Sequence, residues 1–285
     1  MLAKAAASKA GMAGSSSNSP YLLGSTEAEH ERLIRQSAIF DPFTERLFRD
    51  AGVGPGQRVL DIGCGLGDVS MLVARLVGST GAVVGIDRDA SIIVKAKARV
   101  MEAGLTNVSF VESDLAQVAA SEPFDAIVGR LILEFLPDPS AILSTLSRRL
   151  RPGGVMAIQD ACWAPFLALV AHLPLRSKCA TLIYQAFQGS GANMDMELVL
   201  YRAFQLVGLP APSMRIELPA GGDPELAGWV ADLFFSLRPW MDQHHLAYDE
   251  VGNLDTLRPR LEAEAAAAKA FGASVGLVGA WSRKP

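Results

Sequence analysis

Cysteine is scarce in this chain: Cys64, Cys162 and Cys179 are the only three among 285 residues. They form no CxxC pair and no histidine stands at ligand spacing from them, so neither a disulfide framework nor a zinc site is indicated. A reducing compartment fits, and a cytoplasmic location is expected. Excess positive charge is also missing, since 26 Lys and Arg stand against 30 Asp and Glu for a net charge of -4. Without a basic block there is no long-range field to draw in a polyphosphate backbone, which argues against nucleic acid as a partner. Long apolar runs are absent as well. The most apolar stretch, residues 166–175, is interrupted by His172 and Pro174 and is too short to cross a bilayer, so no membrane partner is expected. No GK[ST] follows a glycine-rich loop, which excludes a Walker phosphate loop. The opening "MLAKAAASKAGMAGSSSNSP" lacks the apolar core of a secretory signal, and no Arg precedes Arg32, against the habit of transit peptides. Residues 1–20 bury too little to offset their ordering entropy and are expected to form a flexible tail.

What the chain does have is a regular texture, with half its residues hydrophobic, enough for one large core or a core with an added cap. Thr26 with Glu29 makes a capping box ahead of Leu33, Ile34 and Ile39, which predicts a helix. Asp41 followed by Pro42 reads as a second N-cap, restarting a helix to about Asp50, so two N-terminal helices are expected over residues 21–52. Short β-branched runs then alternate with helical stretches: "RVLDI", "AVVGID", "NVSFVES", "FDAIVGR" and "RPGGVMAIQD" are strands, separated by amphipathic segments. Strands apolar on both faces imply a parallel sheet covered on both sides, a doubly wound architecture. Residues 161–192 and Met194 to Val207 are helical, "SMRIEL" is a strand, 220–271 is mostly helical, and "ASVGLVGAW" supplies the last strand.

The chemistry concentrates in "VLDIGCGLGDVS". Glycine permits positive φ and close backbone approach, so a bare turn between a strand and its helix suits a ligand, though a structural connection also uses glycines. A dinucleotide fingerprint begun at Gly63 and Gly65 needs a third glycine at position 68, where Asp68 stands. The actual pattern is Asp61, Gly63, Gly65, Gly67, with Cys64 between. Twenty residues on, Asp87 ends "VVGID", where a carboxylate can accept both ribose hydroxyls of a nucleoside; Asp87 or Asp89 can equally cap the next helix. "VESDLAQV" carries Ser113, Asp114 and Leu115, and "FDAIVGRLILEFLPDP" carries Gly129 and Arg130.

Taken together and in this order between residues 57 and 160, these elements resemble the class I S-adenosylmethionine-dependent methyltransferases of the small-molecule type. The resemblance implies a Rossmann-like seven-stranded sheet with helices on both faces, and a helical cap inserted before the last strand. It implies S-adenosyl-L-methionine as cofactor, with its methionine end against Gly63, Cys64, Gly65 and Gly67 beside Asp61. Asp87 would hold the ribose, Arg88 would lie beside the adenine, and Ser113, Asp114 and Leu115 would read its edge. Backbone near Gly129 and Arg130 would meet the methionine portion, while Leu133 and Leu136 read as core. "YLLGSTEAEHERLIRQ" is similar to an N-terminal segment in small-molecule members, which would lay Tyr21 and Gln36 over the cofactor.

Four units follow: tail 1–20, helical segment 21–52, cofactor core 53–160, and the rest of the sheet with its cap, 161–285. In-line displacement from a sulfonium chiefly needs alignment and exclusion of water, so the acceptor atom is not legible. Ligands of open α/β sheets bind beyond the carboxyl ends of the strands, which brings Asp160 and Trp163 forward, with Tyr184, Trp229 and Arg238 as further lining residues. Phe234, Phe235 and Trp240 join them in an aromatic-rich insertion, where packing among themselves is the plainer reading. Tyr21, His244 and His245 are the candidates for acid–base work, although adjacent histidines on a helix point different ways. The expected partner is a small, apolar or aromatic methyl acceptor, with homodimerisation left open. Two alternatives stand beside this reading: an NAD(P)-dependent oxidoreductase on the same fold, and a non-catalytic protein that keeps the cofactor site.

Overall fold

A computed structural model describes residues 22–24, 26–118 and 122–285. The proposed tail and Tyr21 lie outside the described residues. The first helix, α1 (Glu27–Ala51), begins where Thr26 Oγ1 accepts the Glu29 amide at 3.2 Å, and it ends at Gly52 in the left-handed region. It is one helix, not two. Pro42 sits inside it, and the expected restart at Asp41 does not occur. The reason is tertiary: Ser37, Asp41 and Thr44, which bracket the proline, all bind the Arg130 guanidinium and so hold the helix together across the missing N–H.

The alternating runs fold as expected into β1 (Arg58–Ile62), α2 (Asp68–Val77), β2 (Ala82–Asp87), α3 (Ala90–Glu102), β3 (Val108–Glu112), β4 (Phe124–Arg130), α4 (Pro139–Ser147) and β5 (Leu150–Cys162). Then come α5 (Trp163–Val170), α6 (Pro174–Gly189), α7 (Met196–Leu206), β6 (Ser213–Glu217) and the short β7 (Ala220–Gly221). The chain closes with α8 (Pro224–Gln243), α9 (Leu257–Ala267), β8 (Gly272–Ala273) and β9 (Gly276–Arg283). Seven strands form one sheet in the order β3-β2-β1-β4-β5-β9-β6. β1 to β5 are parallel, whereas β9 runs antiparallel to both β5 and β6, so the sheet is mixed rather than wholly parallel. A separate β7–β8 pair lies outside it.

Burial on both faces explains the unbroken apolar texture of the strands. Val59, Val83, Ala126, Val128, Val155 and Ala157 pack with Leu47 and Phe48 of α1 and Leu72 and Val73 of α2. The alternate residues Leu60, Ile62, Ile86, Ile127, Met156 and Ile158 pack with Leu143 and Leu146 of α4 and Leu200 and Phe204 of α7. Each fully buried side chain of this kind contributes about 1.5–3 kcal/mol. A third core joins α5, α6, α8 and α9 through Trp163, Phe166, Ile183, Trp229, Phe234 and Leu261, and this is the helical cap.

Candidate functional site

β1 and β4 are adjacent at the centre of the sheet, and their carboxyl ends, with those of β2 and β5, gather the candidate residues along one edge. The chain leaves β1 through Gly63, Gly65 and Gly67, all at positive φ (63°, 50° and 84°). Two of these glycines are explained by packing. A Cβ on Gly63 would stand 2.6 Å from Ile132 and one on Gly67 3.0 Å from Phe110, whereas one on Gly65 would meet nothing within 4 Å. Gly65 faces open space.

Asp87 holds this turn in place. One carboxylate oxygen accepts the Gly65 amide at 3.1 Å and the other accepts the Asp89 amide at 3.1 Å. Asp89 is the cap of α3, accepting the Ser91 and Ile92 amides, which frees Asp87 for the turn. Asp61 lies beneath it, 1% exposed, accepting the Ser70 hydroxyl at 2.6 Å. Burial pushes its carboxyl up to about 7, against the pull of Ser70 and of the Arg130 charge. Burial also drives the Cys64 thiol upward, so Cys64 is a packed and unreactive group. Asp68 opens α2 and pairs with Arg99 at 2.7 Å, placing a carboxylate where a pyrophosphate binder needs free amides.

Beyond β3, Ser113 donates its amide to the Asp87 carbonyl at 2.9 Å, and Asp114 Oδ1 caps the short 3-10 turn Leu115–Gln117 through the Ala116 amide at 2.7 Å. A cavity of about 500 Å³ opens here, lined among others by Arg88, Ser113, Asp114, Ile86 and Leu60. Ile86 and Arg88, the chain neighbours of Asp87, both line it. Gly129 must be bare for a different reason, because a Cβ there would stand 2.6 Å from Ile62.

Arg130 ends β4 and its guanidinium donates to Asp41 at 2.9 Å, Thr44 at 3.0 Å and Ser37 at 2.8 Å; Thr44 in turn donates to Gln159 at 2.6 Å. This network fastens α1 across the strand ends. Lys95 of α3 meets Glu27 at 3.0 Å and His30 at 2.6 Å, while Arg35 reaches Glu225 and Asp232 of α8, so the front half of α1 bridges the core and the cap. Gln36 accepts from Arg32 at 2.7 Å.

Past β4, Asp160 and Glu134 form a buried acidic pair that the sequence reading credited only in part. Asp160 Oδ1 accepts the Ile132 amide at 2.9 Å and the Glu134 amide at 3.5 Å, and Glu134 Oε2 accepts the Ala161 amide at 3.3 Å. Burial lifts both carboxyls, Asp160 to about 7 and Glu134 well above its usual range with the Asp160 charge adding to the rise. Glu134 was missed, although an acid inside the apolar run "RLILEFL" was a signal for it. Ile132, the side chain nearest Gly63, was missed too, and nothing in the sequence marks it.

Trp163 meets Tyr184, Phe187, Phe166 and Trp229 at ring separations of 5.5–6.2 Å. Trp229 is buried in that cluster and its indole N–H has no hydrogen-bond partner. Arg238 is half-exposed and pairs with Asp242 of its own helix. His244 stacks on Trp240 at 4.0 Å, and His245 donates its amide to Asp242, so their partners belong to the exposed end of α8 rather than to the strand edge. Among the described residues, no group of three or more His, Cys, Asp or Glu is arranged for a metal, and no helix is long and apolar enough to cross a membrane.

Comparison with known proteins bears on this edge directly. A family model described as "Methyltransferase domain" matches residues 54–195. An aklanonic acid methyltransferase (DauC) of Streptomyces sp. strain C5 is 34% identical over 151 residues, 48% of this chain and 69% of that protein. An arsenite methyltransferase of Halobacterium salinarum is 33% identical over 118 residues, 41% of this chain but only 30% of that protein. The chain thus spans from 30% to 69% of the length of these two relatives. The crystal structure of a putative methyltransferase (BH2331) from Bacillus halodurans C-125 superposes with a TM-score of 0.54 at 16% identity, covering 84% of this chain and 97% of that one, which speaks for the fold. With its strand order, its glycine turn and the matched span all in register, the chain belongs to the class I S-adenosyl-L-methionine-dependent methyltransferases, and S-adenosyl-L-methionine is its cofactor.

Proposed function

We propose that the protein transfers a methyl group from S-adenosyl-L-methionine to a small apolar or aromatic acceptor in the cytoplasm, without a nucleic acid partner, as a monomer or homodimer. The observation that carries this reading is Gly65, the turn glycine that no neighbouring side chain requires to be bare. Its positive φ of 50° already favours glycine, and the open space on its bare side leaves a ligand room to approach the main chain. The residues present fit the cofactor. Gly63, Cys64, Gly65 and Gly67 offer main chain to its methionine end, flanked by Gly129 and Arg130. Asp87 keeps lone pairs beyond those used by the two amides and serves the ribose hydroxyls. Arg88, Ser113 and Asp114, which line the cavity, receive the base, with Leu115 next in the chain. Asp61 supports the turn from below, and Gln36 lies on α1, which closes the site.

When bound, the cofactor supplies an electrophilic methyl group on a sulfonium. The chain's part is alignment and dryness: α1, fastened by Arg130, and the aromatic cap around Trp163, Tyr184 and Trp229 exclude water from the strand edge. Asp160 lines the acceptor side of this edge. Arg238, His244 and His245 line the outer cap and are assigned no step. A hydride-transferring function is disfavoured by Asp68 and its Arg99 partner at the start of α2.

The test has two stages. Saturating S-adenosylhomocysteine should raise the melting temperature, and a single-turnover assay with radiolabelled donor against a panel of aromatic metabolites should yield a labelled product. No thermal shift refutes the reading; binding without product from any acceptor favours the non-catalytic alternative.

A further inference from the structure

Two glycines of the strand edge are bare against the same side chain. A Cβ on Gly63, where the chain leaves β1, would stand 2.6 Å from Ile132 Cδ1 and 2.6 Å from its Cγ1, and one on Gly129 of β4 would stand 3.2 Å from its Cγ2. β1 and β4 are neighbours, with Ile62 opposite Gly129, so Ile132 fills the gap between their two exits. It is half-buried there and packs against the core that holds Leu60, Ile62 and Ile158.

The backbone is bent to put it there. Leu131 has a φ of 54°, a left-handed conformation that a bulky side chain keeps only when its surroundings impose it. Its amide donates to the Gln159 carbonyl at 2.8 Å, which ties it to β5, and the Ile132 amide donates to Asp160 Oδ1 at 2.9 Å. Three consecutive residues therefore diverge: the Arg130 guanidinium reaches α1, the Leu131 side chain packs against the cap core, and Ile132 turns towards Gly63. A strand continued past Arg130 would send Arg130 and Ile132 to the same face. The left-handed residue between them is what separates the two.

Resting on the methyltransferase reading, we propose that Ile132 is a positioning residue for the cofactor, a wedge that fixes the main chain of Gly63 and Gly129 where the two meet the methionine portion of S-adenosyl-L-methionine. It acts through those glycines and touches no reacting atom. Main chain that is fixed before binding loses less freedom when the ligand arrives, so the wedge is read in affinity as well as in stability. Shape matters here more than bulk. One Cγ of Ile132 faces Gly63 and the other faces Gly129, and only a side chain branched at Cβ supplies both.

The experiment titrates S-adenosylhomocysteine into the full chain by calorimetry, with urea midpoints measured in parallel and circular dichroism checking the fold of each variant. Ile132→Ala should weaken binding about tenfold or more, and Ile132→Leu, which keeps the volume but moves the branch, about fivefold with little change in urea midpoint. Ile132→Val, which keeps both Cγ atoms, should stay within about threefold of wild type. Gly63→Ala supplies a second readout. Its methyl meets Ile132 in the wild-type background and vacated space in Ile132→Ala, so it should cost about tenfold more affinity in the first than in the second. The strain of alanine at a φ of 63° is common to both backgrounds and cancels. Lowered urea midpoints with affinity within about twofold of wild type in both Ile132→Ala and Ile132→Leu would mean a purely structural side chain and overturn the proposal, as would a Gly63→Ala penalty equal in the two backgrounds. Should Ile132→Ala fail to fold, Ile132→Leu and Ile132→Val decide, and equal affinity in those two overturns it. Failure of wild type to bind S-adenosylhomocysteine would instead sink the methyltransferase reading, and so the two failures are told apart.

Discussion

The Gly65 amide donates to the Asp87 carboxylate at 3.1 Å, so the tip of β2 grips the turn that leaves β1. A single side chain therefore shapes the glycine turn and, in the proposed site, also serves the ribose. Replacing Asp87 by Ala is expected to weaken S-adenosylhomocysteine binding by about 2 kcal/mol or more, roughly thirtyfold, through loss of charge-assisted bonds. Titration calorimetry checks it, and an unchanged affinity would remove Asp87 from the site.

Gly65 and Gly85 make a matched pair of valine substitutions. At Gly65 the added side chain enters open space, with only the left-handed backbone (φ 50°) against it, a strain of about 1–2 kcal/mol. Gly65→Val should thus keep a near-native circular dichroism spectrum and lose S-adenosylhomocysteine binding. At Gly85 a Cβ would stand 2.6 Å from Phe110, inside the sheet, so Gly85→Val should fail to fold. Equal damage to folding in both would make Gly65 a purely structural glycine.

Arg130 is the clasp of α1. Arg130→Met should cost about 2–3 kcal/mol of stability, because it breaks a largely buried ion pair with Asp41 and strips partners from Ser37 and Thr44. Asp41 is 30% exposed on its side chain, which keeps the loss below that of a fully buried pair. Urea unfolding gives the magnitude. Hydrogen exchange should locate the loosening in α1, and uniform deprotection across the sheet would contradict the clasp.

Asp61 links stability to pH with an uncommon sign for a carboxylate. Its folded pKa is raised to about 7 from a usual 3.8, so between those values the folded protein binds more protons than the unfolded chain. Stability contributed by the protonated group is complete below about 3.8, falls as pH rises, and is lost above about 7, a change on the order of 3–4 kcal/mol. Asp61→Asn should abolish this share, gaining on wild type steadily from about pH 4 to about pH 7.5 in urea midpoints. Parallel pH profiles for the two proteins would mean that Asp61 is ionised throughout.

The strand and helix alternation was legible because parallel strands buried on both faces have to be apolar at every position, as Val59 and Leu60 are. The glycine turn and the acids at the strand ends were legible because they need only local spacing. What escaped depends on distant partners. Pro42 reads as a helix start until Arg130, far along the chain, is seen to hold both sides of it. Glu134 reads as one acid in an apolar run until Ala161 and Asp160 come to meet it. Choosing between Asp87 and Asp89 as the α3 cap needed the geometry of Ser91 and Ile92, and the antiparallel setting of β9 is invisible to a pattern that records only which faces are apolar.

That setting governs how the molecule is made. β9 lies between β5 and β6 and is the last strand along the chain, so β6 has no hydrogen-bonding neighbour, and one side of β5 stays bare, until Gly276 to Arg283 have left the ribosome. Throughout synthesis of the whole cap the nascent polypeptide exposes an apolar strand edge able to recruit other chains. An edge held open across the whole cap is where intermolecular pairing would start, so removing residues 276–283 should turn a folded sheet into one prone to aggregation.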